Sequence, residues 1–304
     1  MSHVLSLIAA EAKALGARDV DQARRALAAA DAESGAPDWL SPDEACDVPF
    51  AGAAAAALAA IRQAFHAQPF DVNVVPAASR RKKLLLADMD STLIEQECVD
   101  ELAAEVGMRD QVAAITERAM RGEIAFEPAL RERVALIKGL PLEIVAHVLQ
   151  VRITVSPGAA MLVATMRASG AHTALISGGF TLFTGDIAKR LGFHEHRANR
   201  LLHEGGLFTG LLAEPVLGRA AKETAFDELT ERLSLDRADV LAVGDGANDA
   251  GMIEKAGLGV AYRGKPALRA VADAIIDHAD LSGVLFLQGY RREEFAAGAA
   301  LTKR

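Results

Sequence analysis

The 304-residue sequence predicts an α/β protein: a doubly wound parallel sheet with a helical cap inserted after its first strand, preceded by a small α+β domain. Three observations predict it. From Lys83 onward, short apolar runs each end in a polar, turn-prone cluster and then a helical pattern, as in a parallel sheet covered on both faces. Between the first and second of these runs, residues 98–153 carry helical patterns only, too long a stretch for one crossover helix. Residues 1–80 lack the alternation altogether. At 51% hydrophobic and 24% charged residues, the composition supports a sizeable core and excludes a disordered or fibrous chain. With about 150 residues per domain as a guide, two domains are expected: 1–80, and 81–304 with the cap at about 98–153.

Taken in order, Val4 to Ala10 reads as a strand; no Lys or Arg precedes it and Glu11 follows, which disfavours a signal peptide. Asp21 to Ala30 is a short helix with Asp19 or Asp21 as cap. Ser34 to Asp47, rich in Pro, Asp and Ser, reads as irregular. An Ala-rich helix follows from about Gly52 to His66, then a strand from Phe70 to Val75. This order suits half of a ferredoxin-like module. Pro76 to Lys83 is expected to be a linker ending in a solvated basic run.

In the second part, Leu84–Ala87 leads into Asp88-Met89-Asp90, Thr173–Ile176 into Ser177-Gly178-Gly179, and Val240–Val243 into Gly244-Asp245-Gly246. Leu258–Tyr262 and Ala274–Asp277 are further strands. The cap patterns are Val99–Val106, Gln111–Met120, Phe126–Ile137 and Leu142–Val151. Asn199–Gly210, with Gly205-Gly206 at its centre, reads as a hairpin. His194-Glu195-His196, beside Gly192, reads as a surface turn in preference to a metal site.

Lys+Arg 33 against Asp+Glu 41 gives a net charge of −8, which argues against nucleic acid or an anionic membrane as partner. The longest apolar run, Ala51–Ile61, falls short of the roughly 20 residues that span a bilayer. A cytoplasmic protein is expected. Cys46 and Cys98 are too few for a disulfide framework and read as buried thiols.

The chemistry gathers at the strand ends, where open parallel sheets bind ligands. Asp88 and Asp90 share one side of an extended chain, so one can act as nucleophile and the other as acid and base, although such a pair alone is often a cap or turn; its place at a strand end, followed by Ser-Thr, favours function. Asp245 and Asp249 add hard oxygen donors of the kind Mg²⁺ requires, although a capping role for Asp249 stays open. Ser177 and Gly178 offer a hydroxyl and backbone N–H groups to a phosphate. Lys222, in the first turn of a helix, opposes the helix dipole unless it serves an anion; a solvated lysine is the simpler alternative.

These motifs resemble the haloacid dehalogenase-like phosphohydrolases, at Asp88–Thr92, Ser177–Gly178, Lys222 and Gly244–Asp249. Among them the phosphoserine phosphatases are the nearer likeness. That likeness rests on DMDSTLIEQECVDELA from Asp88, FEPALRERVALIKGL from Phe126, SGGF from Ser177, ANRL from Ala198 and VGDGANDAGM from Val243.

The resemblance implies Mg²⁺-dependent hydrolysis of O-phosphoserine, the last step of serine biosynthesis. Asp88 becomes an aspartyl-phosphate, and Asp90 protonates the leaving serine oxygen and then activates water. Mg²⁺ is held by Asp88, the Asp90 carbonyl and Asp245. Ser177, Gly178 and Lys222 hold the phosphoryl group, Asn248 lines the same pocket, and Asp249 orients Lys222 or a metal-bound water. Glu97 takes the substrate ammonium and Arg133 its carboxylate, with Arg131 the competing arginine by spacing. Met120 and Phe126 form an apolar wall. For residues 1–80, which carry none of these motifs, an ACT-like amino-acid-binding module is one reading. A phosphotransferase passing the phosphoryl group to another hydroxyl, such as that of homoserine, is the rival enzyme. An amino-acid sensor on the same scaffold is the rival non-enzyme. A homodimer stays open.

Overall fold

The computed structural model describes residues 1–10, 14–120 and 123–298. Its first 80 residues form β1 (His3–Ala9), α1 (Ala17–Ala29), β2 (Glu33–Ser34), β3 (Asp38–Ser41), β4 (Ala45–Ala51), α2 (Ala54–Ala64) and β5 (Phe70–Pro76). The strands make an antiparallel sheet of order β2-β4-β1-β5, with β3 also on β4. The stretch expected to be irregular therefore supplies strands, and the module is a whole β-α-β-β-α-β unit, not half of one. Pro49 concealed β4 in the sequence: it lacks an N–H, yet its carbonyl still accepts from Gly35 N–H at 2.7 Å. The cap of α1 also differs from expectation. Gly16 is the N-cap, and Asp19 accepts the Gly16 N–H at 2.8 Å as the return arm of a capping box.

The larger part runs β6 (Leu84–Ala87), the cap helices α3 (Cys98–Ala104), α4 (Arg109–Met120), α5 (Phe126–Leu136) and α6 (Ile144–Val151), then α7 (Ala159–Ala168), β7 (His172–Phe180) and α8 (Thr181–Leu191). There follow β8 (Glu195–Asn199), the hairpin β9 (Leu201–Glu204) and β10 (Leu207–Leu212), α9 (Arg219–Arg232) and β11 (Val240–Gly244). The chain closes with α10 (Ala250–Lys255), β12 (Leu258–Tyr262), α11 (Pro266–Arg269), β13 (Ala274–Ile276) and α12 (Gly283–Leu287). Six strands form a parallel sheet of order β13-β12-β11-β6-β7-β8. From the central β6 the chain winds one way through β7 and β8, and later the other way through β11, β12 and β13. The carboxyl end of β6 is thus the switch point where a crevice opens.

Burial explains why these strands read as unbroken apolar runs. Leu85, Leu175, Leu241 and Val243 pack on one face, and Leu84, Leu86, Ala174 and Ala242 on the other. Both faces are covered, so no polar alternation is needed. In the N-terminal sheet, β1 divides its side chains likewise. Leu5 and Leu7 join α1 and α2, whereas Val4 and Ile8 join the core of the large sheet.

Two expectations about charged segments need correction. The basic run is solvated only in part: Arg81 and Lys83 are exposed, but Lys82 is 7% exposed, with Nζ on the carbonyls of Ser79 (2.9 Å) and Ala238 (2.7 Å). Arg80 pairs with Asp47 at 2.5 Å and donates to the carbonyls of Leu287 and Phe286. These cations satisfy carbonyls at the seam between the two sheets. His194-Glu195-His196 is no turn, because Glu195 opens the outermost strand β8, in register with Ala174 of β7. Its carboxylate is held by His172 at 2.6 Å and by Arg232. Among the described residues, no helix is long and apolar enough to cross a membrane.

The seam is closed by two further side chains of β5. Asp71 accepts the N–H groups of Asp277 (2.7 Å), His278 (3.0 Å) and Ala279 (2.8 Å). Asn73 donates to Ile275 O and accepts Ile275 N–H, both at 2.8 Å. Asn73→Leu keeps the volume but strands both backbone groups. It is expected to lower stability by about 2–3 kcal/mol, read as a fall in the urea midpoint. An unchanged midpoint would show that this amide pair carries no weight.

Candidate active site

Asp88 follows the last residue of β6, and its N–H still donates to Val243 O of β11 at 3.0 Å. Beyond it the backbone turns sharply, with Ser91 at φ +56°. That left-handed residue is uncommon for serine, and such strain persists where the surroundings over-determine it. Here the Ser91 hydroxyl donates to Glu97 Oε1 at 2.8 Å, and the Ser91 N–H donates to Gln96 O. The turn thereby faces Asp90 and Glu97 into the crevice.

Lys222, buried in the first turn of α9, is the hub. Its Nζ lies 2.7 Å from Asp88 Oδ1 and 2.5 Å from Asp249 Oδ1. The solvated reading of Lys222 is overturned, and the cation opposing a helix dipole is explained by two carboxylates. Asp249 does not cap α10 through its side chain; Oδ2 accepts the Gly246 N–H at 3.0 Å instead. Asp245 stands at the end of β11 with Lys265 Nζ 3.0 Å from its Oδ2.

Ser177 and Gly178 lie near the carboxyl end of β7, where the Gly179 N–H donates to Ser177 Oγ at 2.8 Å. Two glycines here admit close approaches. A Cβ on Gly179 would lie 2.6 Å from Asp90 Oδ2, and one on Gly178 would lie 2.9 Å from Phe126 Cζ. Asn199 fixes this loop against the approach to α9: it donates to Gly178 O (2.8 Å) and Leu217 O (3.1 Å) and accepts Leu217 N–H (2.6 Å).

A cavity of about 590 Å³ joins these strand ends to the cap. Asp88, Asp90, Ser177, Gly178, Asp245 and Asn248 line its floor, and Glu97, Phe126 and Arg133 its cap side. Arg133 is buried, donating to Thr116 Oγ1 at 3.2 Å. Arg131 is held by Glu127 and Glu214 and does not line the cavity. Met120 ends α4, and its side chain lies outside the described residues.

Electrostatics follow from burial. Desolvation, with Asp249 nearby, pushes the Asp88 carboxyl well up, and Lys222 opposes this. Burial and then Glu97 push Asp90 up to about 7, against the Cys98 N–H that favours its anion. Asp245 rises to about 6 through burial, with Lys265 pulling it back. Lys222 is buried too, yet its two carboxylates outweigh desolvation and raise it, so it stays charged.

A model of the haloacid dehalogenase-like hydrolases matches residues 85–254, from β6 into α10. The chain belongs to the haloacid dehalogenase-like hydrolases. Among the relatives of this hydrolase, the phosphoserine phosphatase of Archaeoglobus fulgidus is 43% identical over 206 residues. That match covers 68% of the chain and 60% of the relative, so the chain spans less than two thirds of that protein. A solved HAD family hydrolase from Salmonella enterica serovar Typhi superposes with a TM-score of 0.81 at 28% identity. It covers 94% of this chain and 97% of its own, the N-terminal module included. A phosphoserine phosphatase solved as a phospho-aspartyl intermediate analogue is 40% identical, with a TM-score of 0.64, covering 68% of this chain and 98% of that one.

Sequence reasoning missed Lys265, Arg219 and Thr116, which also line the cavity of this hydrolase. For Lys265 a signal existed: it follows a strand already recognised at Leu258–Tyr262, and strand ends are where ligands sit. Thr116 carries none, since its role depends on where α4 meets α5.

The donor set fits a hard divalent cation. Asp88, Asp245 and Asp249 are buried, and each offers a carboxylate oxygen within 4.8 Å of the others. Two ammonium groups already press against these oxygens, which shows how strongly the cluster demands positive charge. Lys222→Met leaves Asp88 and Asp249 facing each other unneutralised, at a cost of about 3–5 kcal/mol in chelator. A lowered denaturation midpoint, partly restored by divalent cations, is the expected observation.

Proposed function

We propose that the chain hydrolyses O-phosphoserine to serine and phosphate, the last step of serine biosynthesis, through an aspartyl-phosphate on Asp88. The observation that carries this reading is one cavity holding both halves of a phosphoserine site. Its floor has Asp88 beside Lys222 and Ser177; its cap side has Glu97 and the buried Arg133. The names of the phosphatase relatives point the same way.

In the first step an Asp88 carboxylate oxygen attacks phosphorus. The bond from phosphorus to the serine oxygen breaks, and that oxygen takes the proton of Asp90. A carboxyl raised to about 7 holds this proton near neutrality. In the second step the Asp90 carboxylate takes a proton from water, whose oxygen attacks phosphorus and releases Asp88. Ser177, the Gly178 N–H and Lys222 hold the phosphoryl oxygens, over which the transition-state charge spreads. Asn248 lines this pocket, and Asp249 keeps Lys222 in place. Mg²⁺, held by Asp88, Asp245 and the Asp90 carbonyl, would supply charge neutralisation at the phosphoryl group.

Arg133 takes the substrate carboxylate as a planar fork, and Glu97 takes the ammonium. Phe126, against Gly178, excludes water from the reacting centre.

Asp88→Asn is expected to abolish phosphate release with the circular dichroism spectrum unchanged; normal turnover would overturn the mechanism. Arg133→Ala removes charge-assisted bonds worth about 1.5–3 kcal/mol, so KM for phosphoserine should rise about 10- to 100-fold. KM for phosphoethanolamine, which lacks the carboxylate, should not move. An equal rise for both would remove Arg133 from amino-acid recognition. Chelator should stop phosphate release, and added Mg²⁺ should restore it.

A further inference from the structure

Lys265 has no part in the steps above, yet it is fastened to Asp245 twice. Its backbone N–H donates to Asp245 O at 2.8 Å, and its Nζ lies 3.0 Å from Asp245 Oδ2. The two residues come from adjacent strand ends, β11 and β12, whose parallel register pairs Gly244 with Ala261. The backbone bond fixes where the lysine stem starts, so the ammonium meets this carboxylate by construction. Asp245 is almost fully buried, whereas the Lys265 side chain keeps 37% of its surface and can swing outward. Lys222 serves the other two carboxylates of the cluster, Asp88 and Asp249, and both contacts are buried. The cluster therefore has one fixed ammonium and one hinged one.

We propose that Lys265 is a positioning residue that acts as the tethered counter-cation of Asp245. It keeps this carboxylate paired and aimed in the ion-free protein, and it competes with a divalent cation for the same oxygen. The proposal rests on the metal-site reading given above. Two cations sharing one carboxylate repel, so an ion that binds Asp245 must displace Nζ toward solvent. Binding is thereby weakened and made more readily reversible, while the site avoids a bare buried carboxylate when empty.

The test is calorimetric titration of Mg²⁺, and separately Mn²⁺, into the chelator-treated full chain without substrate. Wild type is compared with Lys265→Met, Lys265→Gln and Lys265→Arg, the second variant covering the case in which the first folds poorly. Removing the charge should lower Kd about five- to tenfold, the equivalent of a partly exposed ion pair. Lys265→Arg, which keeps the charge, should retain the wild-type Kd. In chelator, Met and Gln variants should melt earlier than wild type, and the deficit should vanish on adding ion. An unchanged or higher Kd in both uncharged variants, with wild type binding normally, overturns this proposal alone. No ion binding by any of the four proteins overturns the metal-site reading and this proposal with it.

Discussion

The ammonium of Lys222 between Asp88 and Asp249 joins three stretches of chain that are far apart in sequence: the end of β6, the first turn of α9 and the loop leading into α10. Two buried carboxylates brought this close repel strongly in a medium of low dielectric. The cation makes their proximity tolerable, and that proximity is what a phosphoryl site with a hard-ion requirement needs. The surrounding architecture serves this contact. The parallel register of β6 with β11, which pairs Ala87 with Val243, brings together the two strand ends that bear Asp88 and Asp245. Asn199, bonded to both Gly178 and Leu217, holds the β7 loop and the entry to α9 at a fixed separation.

The cap contributes charge of a different geometry. Where the floor supplies a point charge and backbone donors, the cap supplies a buried guanidinium at Arg133 and a carboxylate at Glu97. The Ser91 hydroxyl ties Glu97 to the turn that bears Asp90, so under the proposed function amine recognition and proton transfer would share one hydrogen-bonded segment. Glu97 also helps raise the Asp90 carboxyl, which couples these two carboxyl groups electrostatically.

Much of this could be read from the amino-acid order because the strands are short, apolar on both faces and followed at once by chemistry. Asp88, Ser177 and Asp245 each stand directly past such a run, so local pattern and tertiary location coincide. Lys82, Glu195 and Thr116 show where that coincidence ends. Lys82 sits in a cationic run of solvent-like composition, but its destination is a pair of carbonyls, one of them on a loop 156 residues away. Glu195 lies in a strand whose polar character comes from its outermost place in the sheet and from side-chain pairing with His172. Thr116 meets Arg133 only because two helices cross, a fact with no period in the sequence. The stretch 34–47 failed differently: its turn-forming residues separate strands too short to show alternation.

Asn73 and Asp71, described above as closing the seam, have a consequence for the molecule's behaviour in a crowded solution. The last strand of a parallel sheet ordinarily leaves a row of unused donors and acceptors, a template on which another chain may add itself. Asn73 presents to Ile275 the same donor and acceptor that one peptide unit of a neighbouring strand would present. Asp71 takes the three N–H groups that follow at residues 277–279. The N-terminal module thus imitates a seventh strand without continuing the ladder, and it ends growth of the sheet on that side with two side chains.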